Sequence, residues 1–307
     1  MEANDNFDVV VIGGSYAGLS AAMALGRSLK KVLVLDSETP CNAVTPHSHN
    51  FLTQDGSTPA EIAALARQQV ARYDTVQFRT DPATGATLSG HHFTVTTQSG
   101  HRFQSRKLIF ATGIKDLLPA IKGFAECWGK SVIHCPYCHG YEYRNEKTGI
   151  LANGSVALHL ATLVHNLTGN LTLFTNGASF FTAEEQQRLQ QRDIAIVQTE
   201  IRELQQSNGQ LQQVVLTDGA AIPLKALYAR VPFEQQTSLP AALGCSFTEQ
   251  GHILVDSMQK TLVPGVFACG DAVSPMRSVA SAVAGGNLAG AMANHELSQE
   301  DFMMPVS

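Results

Sequence analysis

The reactive side chains of this chain concentrate in one short run, Cys135-Pro-Tyr-Cys138-His139. Two thiols separated by two residues close a small disulfide with little backbone adjustment. A thiolate of lowered pKa, held at a helix start or beside a cation, is the nucleophile that dithiol exchange needs. The imidazole of His139, with an ordinary pKa near ~6.5, takes or gives a proton near neutrality more readily than a carboxylate at about 4, and as a cation it would favour a neighbouring thiolate. Cys135, Cys138 and His139 are therefore the candidate catalytic residues. His134, on the other side of the pair, is assigned to packing. Zinc is the weaker reading, because a structural site takes four ligands and no second Cys-x-x-Cys exists. Cys41, Cys127, Cys245 and Cys269 are scattered singly, unlike a secreted disulfide framework, and read as small core residues. His47, His49, His91 and His92 show no partner pattern and read as surface or core histidines.

A second constellation lies near the N-terminus. The buried-strand run Phe7–Ile12 enters Gly13-Gly-Ser-Tyr-Ala-Gly18 and then an Ala/Leu-rich helix, and a second strand, Val32–Leu35, ends at Asp36. A glycine turn between strand and helix lets backbone N–H groups and the positive helix end approach a pyrophosphate, and an acid closing the next strand can accept hydrogen bonds from a ribose. Gly13, Gly14, Ser15, Gly18 and Asp36 are the candidates for these roles. Ser15 stands where the middle glycine of the dinucleotide fingerprint is usual and would bring a Cβ toward the phosphates.

The elements that must position these groups follow from local signals. Thr58-Pro-Ala-Glu61 supplies an N-cap, a proline at the first helical position and an acid at the third, which predicts a helix to about Tyr73. Phe93–Thr97 and Arg102–Ser105 flank Gln98-Ser-Gly100 as a hairpin, and Leu108–Phe110 reads as a further strand ending in Ala111-Thr112-Gly113. A second βαβ unit follows: Ile150-Leu151, an amphipathic stretch Ser155–Asn166 and the strand Leu171–Phe174. Helix Ala183–Arg192 and the strands Ile194–Val197, Val214–Leu216 and Leu227–Ala229 complete it. From about Cys245 the pattern returns to the first domain, with strands Ile253–Val255 and Gly265–Cys269, the pair Gly270-Asp271, and a helix from Ser278 to about His295. The fold class is α/β: two Rossmann-like, three-layer domains, the second (116–245) inserted into a discontinuous first (1–115 and 246–307).

Composition removes other classes. The chain has 307 residues, 15% of them charged, against roughly 25% in an average soluble domain. Its formal charge is −5, with no basic block to serve as a nucleic-acid footprint. The uncharged stretches Val9–Gly26 and Thr148–Ala183 are interrupted by glycines and, in the second, by asparagines and threonines, and read as buried α/β elements with no membrane span. Met1-Glu-Ala-Asn-Asp5 is acidic and lacks the positive n-region of a signal peptide, so a cytoplasmic protein is expected. The low charge fraction fits a homodimer that hides surface in a partner subunit.

With Ala111-Thr-Gly113 and Gly265-Val-Phe-Ala-Cys-Gly270-Asp271 added to the first turn, the sequence resembles the FAD-binding disulfide oxidoreductases. With Cys135-Pro-Tyr-Cys138 in the inserted domain, it resembles from end to end a divergent bacterial-type, low-molecular-weight thioredoxin reductase. The resemblance implies FAD, with Gly13, Gly14, Ser15 and Gly18 on the pyrophosphate and Asp36 on the adenosine ribose. It places Thr112 and Gly113 on the cofactor's flank, Gly270 and Asp271 on the ribityl chain, the backbone of Ser278, Val279 and Ala280 at the flavin ring, and Asn50 as a flavin-side contact. It also implies that Cys138 faces the flavin, that Cys135 attacks the partner disulfide, and that His139 replaces the family's usual acid.

The family's NADPH site is degraded here. The second glycine turn reads Ala152-Asn-Gly-Ser-Val-Ala157, with alanine for the first glycine, and Thr175-Asn-Gly177 replaces the arginines that would hold a 2′-phosphate. No Lys or Arg occurs from Thr148 to Gln187, with Lys147 and Arg188 the nearest cations. NADPH is therefore doubtful. A thioredoxin-like protein or a small dithiol is the expected partner, and a protein such as ferredoxin is an alternative electron donor. The run His134–Glu142 also resembles the superfamily's dithiol oxidases, which pass electrons from small dithiols to oxygen. A non-catalytic flavin-binding redox switch is the third reading.

Overall fold

Val9, Val10 and Val11 are all fully buried, so the strand Asn6–Ile12 is covered on both faces, as a parallel sheet sandwiched by other layers requires. It pairs in parallel with Val32–Asp36 on one side and Arg102–Phe110 on the other, and Val76–Thr80 extends the sheet beyond Val32–Asp36. The computed structural model describes residues 6–304; the acidic opening Met1–Asp5 lies outside the described residues. Among the described residues this sheet has seven strands. On its edge away from Asn6–Ile12, Arg102–Phe110 takes two neighbours: its first half pairs antiparallel with His92–Thr97, its last three residues in parallel with Val266–Ala268.

That long strand replaces the two short ones expected at Arg102–Ser105 and Leu108–Phe110. Arg106 and Lys107 interrupt the apolar run in sequence, yet both are neutralised: Arg106 by Glu300 and Asp301, Lys107 by Glu296 and Glu300. The same carboxylates explain a second difference. The terminal helix runs Val279–Met303, well past His295, because its polar last turns are tied down by these cations and by Lys30. This helix packs on Tyr16–Arg27, where Ala289 and Ala293 are fully buried and a Cβ at Gly286 would strike the Ala17 carbonyl. The predicted helix at Pro59 forms, Pro59–Val70, with Thr58 and Glu61 completing a reciprocal capping box. The expected strand at Ile253–Val255 reduces to one bridge, Phe247 to Ile253.

The second sheet has five parallel strands among the described residues, in the order Ala195–Val197, Leu171–Phe174, Thr148–Leu151, Ala226–Ala229, Val132–Ile133. Helix Gly154–His165 crosses between Thr148–Leu151 and Leu171–Phe174. Ile201–Ser207, Gln210–Leu216 and Ala221–Pro223 add a small antiparallel sheet.

The chain thus divides into two units, each with its own core. One takes in the chain up to Ala43, Phe51–Lys115 and the chain from Phe233; the other holds Val44–Asn50 and Asp116–Pro232. The return comes at Phe233, earlier than the expected residue 246. Its cause is local: Phe233–Gln235 pairs with Ile114–Asp116, and Leu239 and Cys245 already sit in the first unit's core. The grouping of Val44–Asn50 with the second unit has no sequence signal.

Candidate active site

In the first unit the glycine turn has the shape of a phosphate cradle. Gly13 has φ +109°, and a Cβ there would strike the Ala111 carbonyl; a Cβ at Gly18 would strike the Gly13 carbonyl. Only glycine fits at either place, which brings the backbone amides of the turn close to any anion above the helix start. Asp36 comes to the same place, its Oδ1 accepting the Gly14 N–H at 3.2 Å. Ser15 caps helix Tyr16–Arg27 in extended backbone, a conformation open to any residue, and its hydroxyl makes no capping hydrogen bond. The serine is therefore accommodated without strain and its oxygen can face a ligand.

The other first-unit candidates gather at the ends of the same strands. Thr112 follows Arg102–Phe110, and its Oγ1 is buried without a hydrogen-bond partner, an arrangement that favours a bound polar ligand. Gly113 has φ +67°. Gly270 and Asp271 form a short 3-10 turn after Val266–Ala268. Asp271 lies 3.6 Å from the Arg277 guanidinium and 3.9 Å from the Cys41 thiol. Cys41 is exposed and so does not fill the core place expected of it, whereas Cys127, Cys245 and Cys269 do; burial pushes the Cys269 thiol up to about 12. Ser278 caps the terminal helix, accepting the Ser281 N–H at 3.1 Å, and Val279 and Ala280 form its first turn. Sequence reasoning missed Arg277 and Gln259. The latter's buried Oε1 also lacks a partner and lies near Gly285. The glycine turn, the nearby carboxylates and the unsatisfied Thr112 and Gln259 oxygens fit a dinucleotide of the FAD type. Asn50, φ +59°, is grouped with the second unit instead of these residues.

The cysteine pair belongs to the second unit. The edge strand Val132–Ile133 delivers it to a single turn, Pro136–His139, for which Cys135 is the N-cap and Pro136 the first residue. Both cysteines are half-buried and their sulfurs lie 2.7 Å apart. His134 packs at 6.2 Å from the Trp128 ring, in keeping with its assignment. The Tyr228 phenol is buried beneath the turn, and burial together with the Cys135 charge holds its proton on.

His139 differs from expectation in charge. Burial, outweighing the attraction of Glu142, pushes its pKa below the ordinary 6.5, and His49 adds to the depression. The ring is neutral at neutral pH, so it is a proton acceptor and not a cation that stabilises a thiolate. His49 had no partner pattern in sequence, but it stands 3.6 Å from Glu142 with its ring perpendicular to that of His139, centroids 6.5 Å apart. Only the fold brings residues 49, 139 and 142 together.

The second glycine turn is occupied by its own side chain. Asn153 Oδ1 accepts the N–H groups of Gly154 and Phe180, both at 2.9 Å, and Nδ2 donates to the Ala178 carbonyl at 2.8 Å. Lys147 precedes strand Thr148–Leu151, at the opposite end from the turn, and Arg188 pairs with Glu184. Arg230, absent from the expected cations, follows Ala229, the register partner of Leu151, and so lies across that strand from Leu171–Phe174. Among the described residues no cluster of three metal-ligating side chains forms, and no helix is long and apolar enough to cross a membrane.

Comparison with known proteins agrees with this geometry. Residues 7–286 match the family described as pyridine nucleotide-disulphide oxidoreductase. The thioredoxin reductase tcpT of Claviceps purpurea is 33% identical over 97% of this chain and 96% of its own, and the thioredoxin reductase aclD of Aspergillus oryzae is 33% identical over 92% and 94%. The crystal structure of an oxidoreductase from Agrobacterium tumefaciens superposes with a TM-score of 0.90 at 40% identity, covering 96% of this chain and 99% of that one. With two Rossmann-like units, a phosphate-cradle turn in one and a dithiol in the other, the chain belongs to the pyridine nucleotide-disulphide oxidoreductase family, as an FAD-dependent thiol-disulfide oxidoreductase resembling the low-molecular-weight thioredoxin reductases.

Proposed function

We propose that the enzyme exchanges two electrons between FAD and the Cys135–Cys138 pair, and between that pair and an external thiol or disulfide, without drawing on NADPH. The single observation that carries the last part is the Asn153 bridge. Its carboxamide engages the turn amide of Gly154, one of the groups a second pyrophosphate would need, and ties the following loop across the turn. Lys147, at the opposite end of strand Thr148–Leu151 from the turn, and Arg188, paired with Glu184, support the same reading.

In this reading Gly13, Gly14, Ser15 and Gly18 hold the FAD pyrophosphate, Asp36 the ribose, Thr112 and Gly113 its flank, Gly270 and Asp271 the ribityl chain, and Ser278, Val279, Ala280 and Asn50 the flavin side. FAD, when bound, supplies a two-electron acceptor and donor. The rest is sulfur and proton chemistry. Cys135 exchanges with the substrate, Cys138 closes the internal disulfide, and His139 accepts the proton that a thiol loses on becoming a thiolate. The partner is a thioredoxin-like protein or a small dithiol. The enzyme works as a homodimer in a thiol-keeping compartment such as the cytoplasm, and if it runs as a reductase its electrons come from a protein donor such as ferredoxin.

A neutral His139 beside the pair favours a second reading, a dithiol oxidase. Oxidising a dithiol releases two protons, and a ring already deprotonated at neutral pH can take one at once. The electrons then leave for oxygen. Anaerobic mixing of the flavin-loaded enzyme with NADPH, NADH, reduced ferredoxin or dithiothreitol tests both. Bleaching of the flavin by dithiothreitol with none by the nicotinamides is expected; rapid bleaching by NADPH would overturn the loss of the second site. Oxygen uptake on adding a small dithiol selects the oxidase.

A further inference from the structure

Between Ala43 and Phe51 the chain leaves the first unit's cluster, and the seven residues Val44–Asn50 group with the second unit. Their contribution to the neighbourhood of the cysteine pair is an imidazole. His49 Nε2 stands 3.6 Å from Glu142 Oε1, and its ring meets that of His139 edge-on. Glu142 and His49 are both partly exposed, whereas His139 is largely enclosed. A half-buried neutral ring on the turn of the thiols, a carboxylate three residues on and a second ring in contact with both form one cluster.

An enclosed imidazole cannot hold a proton without a compensating charge, because desolvation disfavours the cation. We propose that Glu142 and His49 are positioning residues for His139: Glu142 supplies the negative charge that lets His139 take a proton from a thiol, and His49, by pairing with Glu142, sets how much of that charge His139 feels. The proposal rests on the reading of Cys135 and Cys138 as the redox pair. In the step concerned, a thiol S–H bond breaks, its proton bonds to a ring nitrogen of His139, and a thiolate and an imidazolium result; no electrons change owner. The imidazolium then lies within the field of Glu142 and gives its proton up toward the exposed side of the cluster.

Other titratable groups border the site. Cys135 and Cys138 share the turn with His139, and His47 lies 6.4 Å beyond His49. The phenols of Tyr228 and Tyr143 approach the cluster from strand Ala226–Ala229 and from the segment after the turn, and burial keeps both protonated. Neither phenol changes charge in the neutral range. Glu142 and His49 are the groups around His139 whose replacement should move its titration.

The test reads His139 directly. Imidazole NMR titrations of the holoenzyme, with the His139 resonance assigned through His139→Gln, are compared for wild type, Glu142→Gln and His49→Asn. Removing Glu142 should lower the His139 pKa and removing His49 should raise it, by roughly half a unit each for partly screened charges. The low-pH limb of dithiothreitol-driven bleaching should move in the same opposite directions. No shift in either variant, or shifts in the same direction, would overturn the proposal; His49→Gln repeats the test if His49→Asn fails to fold. Failure of wild type to bleach with any dithiol would count against the redox reading itself, a separate outcome.

Discussion

His139 carries the most specific consequence at the scale of single residues. Its pKa is lowered by burial, so the folded chain binds less proton there than the unfolded chain in the interval between the lowered value and 6.5. Stability contributed by this group is present above pH 6.5 and is lost as pH falls through the lowered value. The base form follows the same window, so thiol-driven flavin reduction should rise with pH on that limb and be flat above it. His139→Gln should remove the limb and slow reduction about 10²- to 10⁴-fold, the usual range for one general base. Stopped-flow bleaching between pH 5 and 8 checks this, and an unchanged limb in the variant would contradict it. The cysteines, the glycine turn and Asp36 were legible in the sequence because their spacing is local. His49 was not, since its partners lie far along the chain and no motif links a lone histidine to a turn near residue 140.

The elements were legible where one local signal dominates. Thr58 and Glu61 announce a helix and the capping box forms. The errors fall where a tertiary partner overrides sequence appearance. Arg106 and Lys107 look like a break, but carboxylates of the terminal helix neutralise them and the strand continues; the same contacts carry that helix past His295. Ala152-Asn-Gly154 looks like a fingerprint that has only lost its first glycine, and the structure gives the neighbouring Asn153 a part of its own in tying the turn to the loop at Ala178 and Phe180. The cradle element yields a sharp prediction. Gly13→Ala places a methyl against the Ala111 carbonyl in a left-handed conformation that alone costs about 1–2 kcal/mol. The purified variant should carry less flavin per chain than wild type and melt at a lower temperature. Full flavin content would show that the turn is not the pyrophosphate site.

For the molecule as a whole, the insertion of one Rossmann-like unit into another was readable from two successive βαβ patterns and the late Gly270-Asp271. The point of return was not, because the ribbon made by Ile114–Asp116 and Phe233–Gln235 is too short to register as strands. In the proposed mechanism the residues assigned to the cofactor, Asn50 apart, belong to one unit and the sulfur pair to the other, so the activity depends on both. Stoichiometric anaerobic titration of the flavin-loaded protein with dithiothreitol, followed at the flavin absorbance band, tests that dependence most directly. Complete bleaching of wild type is expected, with none on the same timescale in Cys138→Ser. A protein that neither retains nor takes up flavin, or a serine variant that bleaches as fast as wild type, would contradict it.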